Sequence, residues 1–494
     1  MIPLKDLIDG MGGIAASLDL SGLVIKGITD DSRQVKEGFL FIAVKGEKAD
    51  GNSFIDEAIK KGARAIVAQS PITKSQLPIK NKVPFLEVKD ARAALAKLAA
   101  KFYGYPSRIV KCIGVTGTNG KTTITYILEN ILKQAGFNCG VIGTVNYHFN
   151  DKIIPASNTT PNPIILESLL SEMRVSGVNY CALEVSSHSL EQQRVAGIDF
   201  RYAIFTNLAS DHLDYHGNRL YYFAAKAKLF KMLNKQAHAI INIDDEHGIK
   251  LLKNTSARVI TYGIDNNSDV RAQDLKLASC GTEFKVTTAK GEFNIKTKLI
   301  GKHNVYNILS AIAVTSVENI SLENIVKGIE SLEKVSGRLE KVEGDYPFSI
   351  FVDYAHTEDA LKNVLISLSK IKHNKIIVVF GCGGDRDRSK RPKMGYTAST
   401  LSDFVIVTSD NPRSEDPDKI IDEIISSIKK ENFTVIPDRH SAIEKALFMA
   451  DMGDIVLIAG KGHEQYQIFK DKIIHFDDYK TAKDILEKRY HVYA

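Results

Sequence analysis

The chain has 494 residues, of which 44% are hydrophobic and 25% charged, and a formal net charge of +6. At roughly 150 residues per domain there is room for about three domains, and the apolar content excludes a disordered chain. A charge excess this small over this length excludes a general nucleic-acid binder, while leaving room for local basic pockets. Cys112, Cys139, Cys181, Cys280 and Cys382 are far apart and form no CxxC pair, so neither a disulfide framework nor a structural zinc site is expected. The N-terminus lacks a basic segment ahead of an apolar run. Apolar stretches such as 376–380 and 455–459 are far shorter than the ~20 residues that cross a bilayer. A cytoplasmic protein without membrane insertion is expected.

In chain order, 38–44 and 63–68 read as short strands and 91–103 as an Ala-rich helix with apolar residues at helical spacing. The turn residues at 103–107 suggest a domain boundary. Residues 109–115 read as a buried strand, followed by a glycine-rich turn and a helix. That helix carries Ile124, Ile127, Leu128, Ile131 and Leu132 on one face, with Gly136 at its C-cap. Strand, glycine turn and helix open an α/β nucleotide-binding domain. Further strands are expected at 180–185, 202–207 and 238–243. A third unit begins near 335, with strands at 348–352, 375–380, 404–408 and 455–459 separated by helical patterns, a second fold of βαβ type. The expected division is 1–105, 106–335 and 336–494.

The sharpest local signal is GVTGTNGKTT at 114–123. Its glycines let backbone N–H groups cradle phosphate oxygens, and the helix start adds a positive dipole end. Lys121 is placed to neutralise β and γ phosphates, and the Thr122 hydroxyl to hold Mg²⁺. Position 115 is Val, so the strict GxxxxGK[ST] pattern is not met.

The TGTNGKT segment resembles the ATP loop of the Mur ligases, the amide-forming enzymes of peptidoglycan precursor synthesis. Other stretches fit the same family in the same order: NTT at 158–160, EVSSHSL at 184–190, NLASDHLDYHG at 207–217, AAKAK at 224–228, KHNVYN at 302–307, Gly337-Arg338 and DYAH at 353–356. The resemblance covers nearly the whole chain and is greatest for the members that add the third amino acid to UDP-N-acetylmuramoyl-L-alanyl-D-glutamate. It implies three α/β domains: a small uridine-binding N-terminal domain, a central P-loop ATPase-type domain and a Rossmann-like C-terminal domain.

The resemblance implies a role for each motif. ATP is bound by Gly114, Thr116, Gly117, Thr118, Asn119, Gly120, Lys121, Thr122 and Thr123, with Asn304 and Asn307 beside the adenine and Arg338 and Asp353 closing over the nucleotide. Glu184, at a strand end, and His212 become metal-site residues, and with Lys121 and Lys226 form the catalytic set. Lys226, read alone, is a solvated helix residue. The family implies that CO₂ carbamylates it, turning a cation into a carboxylate that helps to hold Mg²⁺. Asp30, Ser32, Glu47, Lys48 and Ala49 are implied contacts of the uridine nucleotide. Asn158, Thr159, Thr160, Ser186, Gln192 and Arg194 are implied contacts of the muramoyl dipeptide.

The amine is chosen by the third domain. DNPR, residues Asp410, Asn411, Pro412 and Arg413, resembles members that add meso-diaminopimelate. Diaminopimelate differs from lysine by a second carboxylate, which a guanidinium grips at two points. Arg391 is expected as a second clamp, with Gly460 and Glu464 completing the pocket and Glu464 taking an ammonium group. L-lysine is the alternative amine. A monomer is expected, using ATP, Mg²⁺ and the two small-molecule substrates, without nucleic acid.

Overall fold

The computed structural model describes all residues except 12–14, 17–19, 21, 47–48, 71–82, 210 and 492–494. The expected uridine contacts Glu47 and Lys48 lie outside the described residues. The chain's contacts group it into two units. One comprises Met1–Gly114, Phe137–Ala203 and Lys228–Ala237; the other comprises Val115–Gly136, Ile204–Ala227 and His238–Ala494.

The first unit holds a five-stranded sheet in which Phe85–Val88, Ala63–Gln69, Phe39–Ala43 and Gly27–Thr29 lie side by side and parallel. Alternate residues of Ala63–Gln69 face opposite sides, as a strand requires. Ala65 and Val67 join a core with Leu40 and Leu86, while Ile66 and Ala68 pack with Phe41 and Phe85. The helix Ala91–Phe102 covers the first of these faces. Asp90 caps it by accepting from Arg92 N and Ala93 N, and Ala91, Ala94, Leu95, Leu98 and Ala99 point inward. A second set of strands in this unit runs Lys152–Pro155, Asn146–Phe149, Cys139–Ile142, Tyr180–Glu184.

In the second unit the helix Lys121–Gln134 buries Ile124, Ile127, Leu128, Ile131 and Leu132, the face read from the sequence. Each such side chain contributes about 1.5–3 kcal/mol of burial. Strands His238–Asn242 and Arg258–Gly263 pair in parallel, and Val270–Ala278, Gly281–Thr288 and Gly291–Thr297 follow as an antiparallel meander. The sequence reading named no strand in that meander. Its buried positions, such as Val270, Ala272, Phe284, Val286 and Ile295, are scattered among polar residues, so no continuous apolar run marks the strands.

The same unit ends in a six-stranded sheet of order Glu340–Lys341, Ser349–Asp353, Ile455–Ala459, Ile376–Phe380, Phe404–Val407, Phe433–Val435. The last five are parallel. Helices Glu358–Ser369, Lys390–Leu401 and Pro417–Ile425 cover one face, and Arg439–Met449 and Asp478–His491 the other. The chain order reverses beside Ile455–Ala459, and ligand sites of doubly wound sheets form at the carboxyl ends of strands at such a reversal. The strands expected at 180–185, 238–243, 348–352, 375–380, 404–408 and 455–459 all form within a residue of those bounds. All five cysteines are free, and all but Cys280 are buried.

Candidate active site

The phosphate loop of the second unit sits between the end of strand Lys111–Thr116 and the helix Lys121–Gln134. Gly117 has φ +148°, and a Cβ there would lie 1.8 Å from the Thr206 hydroxyl, so only glycine fits. Thr206 Oγ1 donates to Asn119 O at 2.7 Å and Asn119 N donates to Asn207 Oδ1 at 3.0 Å, fixing the loop. Lys121 Nζ donates to Gly117 O at 3.0 Å and Thr118 O at 2.8 Å, so its charge is held across the loop. The Thr116 hydroxyl is buried without a hydrogen-bond partner among the described residues. A polar cradle with an ammonium at its mouth fits a polyphosphate.

Arg338 Nη2 donates to Thr122 Oγ1 at 2.9 Å, and its guanidinium lies 4.6 Å from the centre of the Tyr354 ring. Asp353 accepts from Leu339 N at 2.6 Å and Ala355 N at 2.8 Å. It therefore shapes the turns on both sides of Arg338 and Tyr354, and burial pushes its carboxyl up. Asn307 packs against Gly120. Asn307 Nδ2 donates to Asn304 Oδ1 and Asn304 Nδ2 to the Ile300 carbonyl, so both amides secure the start of helix Lys302–Val317.

Lys226 lies on helix Arg219–Lys231 and is almost fully buried, not solvated as its sequence neighbours suggest. Its Nζ donates to Gly117 O at 2.8 Å and lies 4.3 Å from the Tyr222 ring centre. Burial, with Lys121 nearby, pushes its ammonium well below the ordinary lysine range. Asp211, which the sequence reading passed over, is half-buried beside His212, 3.3 Å from its Nε2. Burial lowers the His212 imidazole to about 4, leaving it neutral at pH 7. Among the described residues no three His, Cys, Asp or Glu side chains form a metal cage. Mg²⁺ keeps several waters and takes few protein oxygens, so a hydroxyl such as that of Thr122 beside bound phosphates suits it.

The second cluster of this unit lies at the carboxyl ends of the last parallel sheet. Residues 381–386, 408–413 and 460–464 follow strands Ile376–Phe380, Phe404–Val407 and Ile455–Ala459. Arg413 is left-handed at φ 53°, a strained backbone for a long side chain. Its Nη1 donates to Gly384 O at 2.7 Å. Gly460 has φ +113°, and a Cβ there would lie 2.8 Å from Asp410 Oδ2. Asn411 Nδ2 donates to Glu464 Oε2 at 2.9 Å.

Arg391 is placed differently from expectation. Its guanidinium is fully buried, bonded twice to Glu415 at 2.8–2.9 Å and once to Glu423 at 2.9 Å. A guanidinium whose two terminal nitrogens already bond two carboxylates of its own chain is not placed to clamp a third. Arg386 was not singled out from the sequence, yet it lies on the 381–386 loop, where among the described residues its guanidinium bonds only the Asp385 carbonyl, at 3.1 Å. A Cβ on Gly383 would lie 2.8 Å from Arg413 Nη1 and 3.9 Å from Arg386 Cγ, so these two arginines flank one glycine.

In the first unit, Glu184 ends strand Tyr180–Glu184 and accepts from Thr144 N at 2.8 Å and the Thr144 hydroxyl at 3.0 Å. Thr144, also unread from the sequence, bonds Thr159 at 3.1 Å. Thr160 donates to Glu184 O, and Ser186 caps helix Ser187–Glu191. Arg194 Nη1 donates to Thr160 O and its other edge to Gln192 Oε1, so these residues form one network. Asn158 backbone groups bond the Tyr147 hydroxyl. Asp30 accepts from Asn162, and burial raises its carboxyl. Ser32 donates to Glu57 at 2.8 Å, and Ala49 O accepts from Gly46 N.

Three family models match in chain order: the Mur ligase family, catalytic domain, over 24–103; the Mur ligase middle domain over 115–315; and the Mur ligase, glutamate ligase domain over 337–462. A relative from Clostridium tetani, UDP-N-acetylmuramoyl-L-alanyl-D-glutamate--2,6-diaminopimelate ligase, is 44% identical over 94% of this chain and 96% of its own.

The chain belongs to the Mur ligase family.

The ligase of the same description from Halalkalibacterium halodurans is 41% identical over 99% of this Mur ligase and 100% of its own chain. A solved structure of a ligase so described is 33% identical, with a TM-score of 0.69 over 94% of this chain and 96% of that one. The Thermotoga maritima MurF ligase in complex with ADP, 22% identical with a TM-score of 0.63 over 96% of this chain and 100% of that one, shares the fold. The resemblance read from the ATP loop and its companion motifs is borne out, as are the three α/β domains.

Proposed function

We propose that this Mur ligase uses ATP to join meso-diaminopimelate to the D-glutamate of UDP-N-acetylmuramoyl-L-alanyl-D-glutamate in peptidoglycan precursor synthesis. The relatives' shared description supports the substrates. The observation that carries the choice of amine is the strand-end cluster in which Arg413 and Glu464 share Asn411, with Arg386 alongside. A cation for a carboxylate and a carboxylate for an ammonium suit the far end of diaminopimelate, whereas lysine has no carboxylate there. Arg386 takes the clamp role first read at Arg391. Residues 1–105 hold the uridine nucleotide, with Asp30 as the buried carboxyl among its expected contacts; 106–335 hold ATP; 336–494 hold the amino acid.

The D-glutamate γ-carboxylate attacks the γ-phosphorus of ATP, ADP leaves, and an acyl phosphate forms. The neutral amine of diaminopimelate then attacks the acyl carbon, phosphate leaves, and the amine's proton passes to solvent or a base. Lys121 and Arg338 carry positive charge to the phosphoryl group in flight. In the second unit the residues offered for Mg²⁺ are Thr122, His212 and a carbamylated Lys226; Glu184 is offered separately in the first unit. When bound, the ion neutralises charge between the reacting anions. Carbamylation requires a neutral amine, and the depressed Lys226 supplies one: its nitrogen bonds the carbon of CO₂ and releases a proton. A cytoplasmic monomer suits a water-soluble nucleotide substrate.

The test is to incubate the protein with ATP, Mg²⁺ and the UDP-dipeptide while diaminopimelate and lysine compete. Phosphate release and a product mass with diaminopimelate are expected. No phosphate with either amine would sink the ligase reading, and a lysine product would reverse the amine.

A further inference from the structure

We propose that Lys461 is a positioning residue of the amine pocket: it fixes Glu464 so that one carboxylate oxygen is committed to the protein and the other is presented to the ammonium group of the incoming amino acid. The inference rests on the amine reading above and extends it to a residue that touches no substrate.

Lys461 follows strand Ile455–Ala459 and is fully buried, between Gly460 and Gly462, both at positive φ. Its Nζ donates to Asn411 Oδ1 at 3.0 Å and to Glu464 Oε2 at 3.3 Å, and lies 5.6 Å from the Tyr466 ring centre. Asn411 Nδ2 donates to the same Glu464 Oε2, and Asn411 Oδ1 also accepts from Ile468 N at 3.0 Å. The amide and the ammonium therefore form a cradle for Oε2 alone, and Oε1 has no bond within the described residues. A carboxylate held by one oxygen in this way presents its other oxygen to an incoming donor.

The cradle also keeps Glu464 charged. Burial raises its carboxyl, and Asp410 raises it further, while Lys461 and Asn411 oppose both. The other ionisable groups facing it are the Tyr354 and Tyr466 phenols and the Arg439 guanidinium. Without Lys461 the proton returns to Glu464 at a higher pH, and a neutral acid binds an ammonium poorly.

The experiment compares wild type, Lys461→Met and Lys461→Arg for the KM of diaminopimelate and of ATP across pH 6 to 9. Lys461→Met is expected to raise the diaminopimelate KM on the order of tenfold or more, leave the ATP KM unchanged, and move the acid limb of the amine profile to higher pH. Lys461→Arg recovers part of the loss. A Lys461→Met enzyme with reduced kcat but unchanged amine KM and acid limb overturns the proposal, as does an equal rise in both KM values. Should Lys461→Met not fold, Glu464→Gln is compared with Glu464→Gln/Lys461→Met, which removes both charges. Equal amine KM values support positioning through Glu464, and a further large rise overturns it. Wild-type failure to use diaminopimelate defeats the amine reading itself, so the two failures are distinct.

Discussion

Lys226 and Arg439 are both buried basic side chains of the second unit, and they are buried in opposite ways. Arg439 forks onto Asp478 at 2.6 and 2.8 Å and also donates to the Ala459 carbonyl, with both members of the pair fully enclosed. Lys226 has one carbonyl and an aromatic face, and no ion pair among the described residues. A buried charge that is paired and hydrogen-bonded is a structural element; one left without a counter-ion lowers stability and is kept for another reason. For Lys226 the proposed carbamylation is such a reason, since it needs an uncharged amine.

The largest expected effect separates the two. Lys226→Met should reduce amide formation to background, with a melting temperature equal to or above wild type because a desolvated amine without an ion pair is gone. Phosphate-release assays and thermal melts check this. If the melting temperature fell as far as in a variant of the Arg439 pair, Lys226 would be structural and the contrast would vanish.

Next in size is the pair itself. Asp478→Ala leaves a buried guanidinium without its partner and should cost about 3–5 kcal/mol in urea unfolding. Arg439→Met/Asp478→Leu should cost clearly less than Asp478→Ala alone, since no charge is then stranded. Equal losses would mean that packing rather than charge pairing carries the site.

What was legible in the sequence divides along the same line. The phosphate loop could be read because strand, glycine turn and helix are contiguous, and the helix face from Ile124 to Leu132 follows from period alone. Pairings across the chain could not. Arg439 meets Asp478 39 residues on, and Arg391 meets Glu415 and Glu423 at separations of 24 and 32. From sequence, Arg391 and Arg386 are equivalent basic residues in one stretch; only the fold shows that the first is satisfied internally. Ser32 likewise reads as a free hydroxyl until Glu57 is found against it. The burial of Lys226 was invisible because its helix has almost no one-sided apolar pattern, Ala and Lys alternating where the fold encloses both.

A buried acid extends the contrast to the first unit at a smaller scale. Glu167, on helix Pro163–Val175, is 1% exposed, and its Oε2 has no hydrogen-bond partner among the described residues. Burial first, and then Asp199, pushes its carboxyl up to about 8. The folded protein therefore holds this proton up to about pH 8, while the unfolded chain releases it near the ordinary glutamate value of about 4.3. Between these values the unfolded state binds fewer protons, so stability is fully present below about pH 4 and falls as pH rises toward 8. Urea unfolding at pH 5, 6, 7 and 8 should show this decline, on the order of a few kcal/mol, superimposed on the other groups. Glu167→Gln keeps the shape and cannot ionise, so it should flatten that part of the profile and leave catalysis unchanged. A Glu167→Gln profile parallel to wild type would mean that this carboxyl ionises freely in the folded state, and that an unpaired charge can be buried here without the penalty ascribed to Lys226.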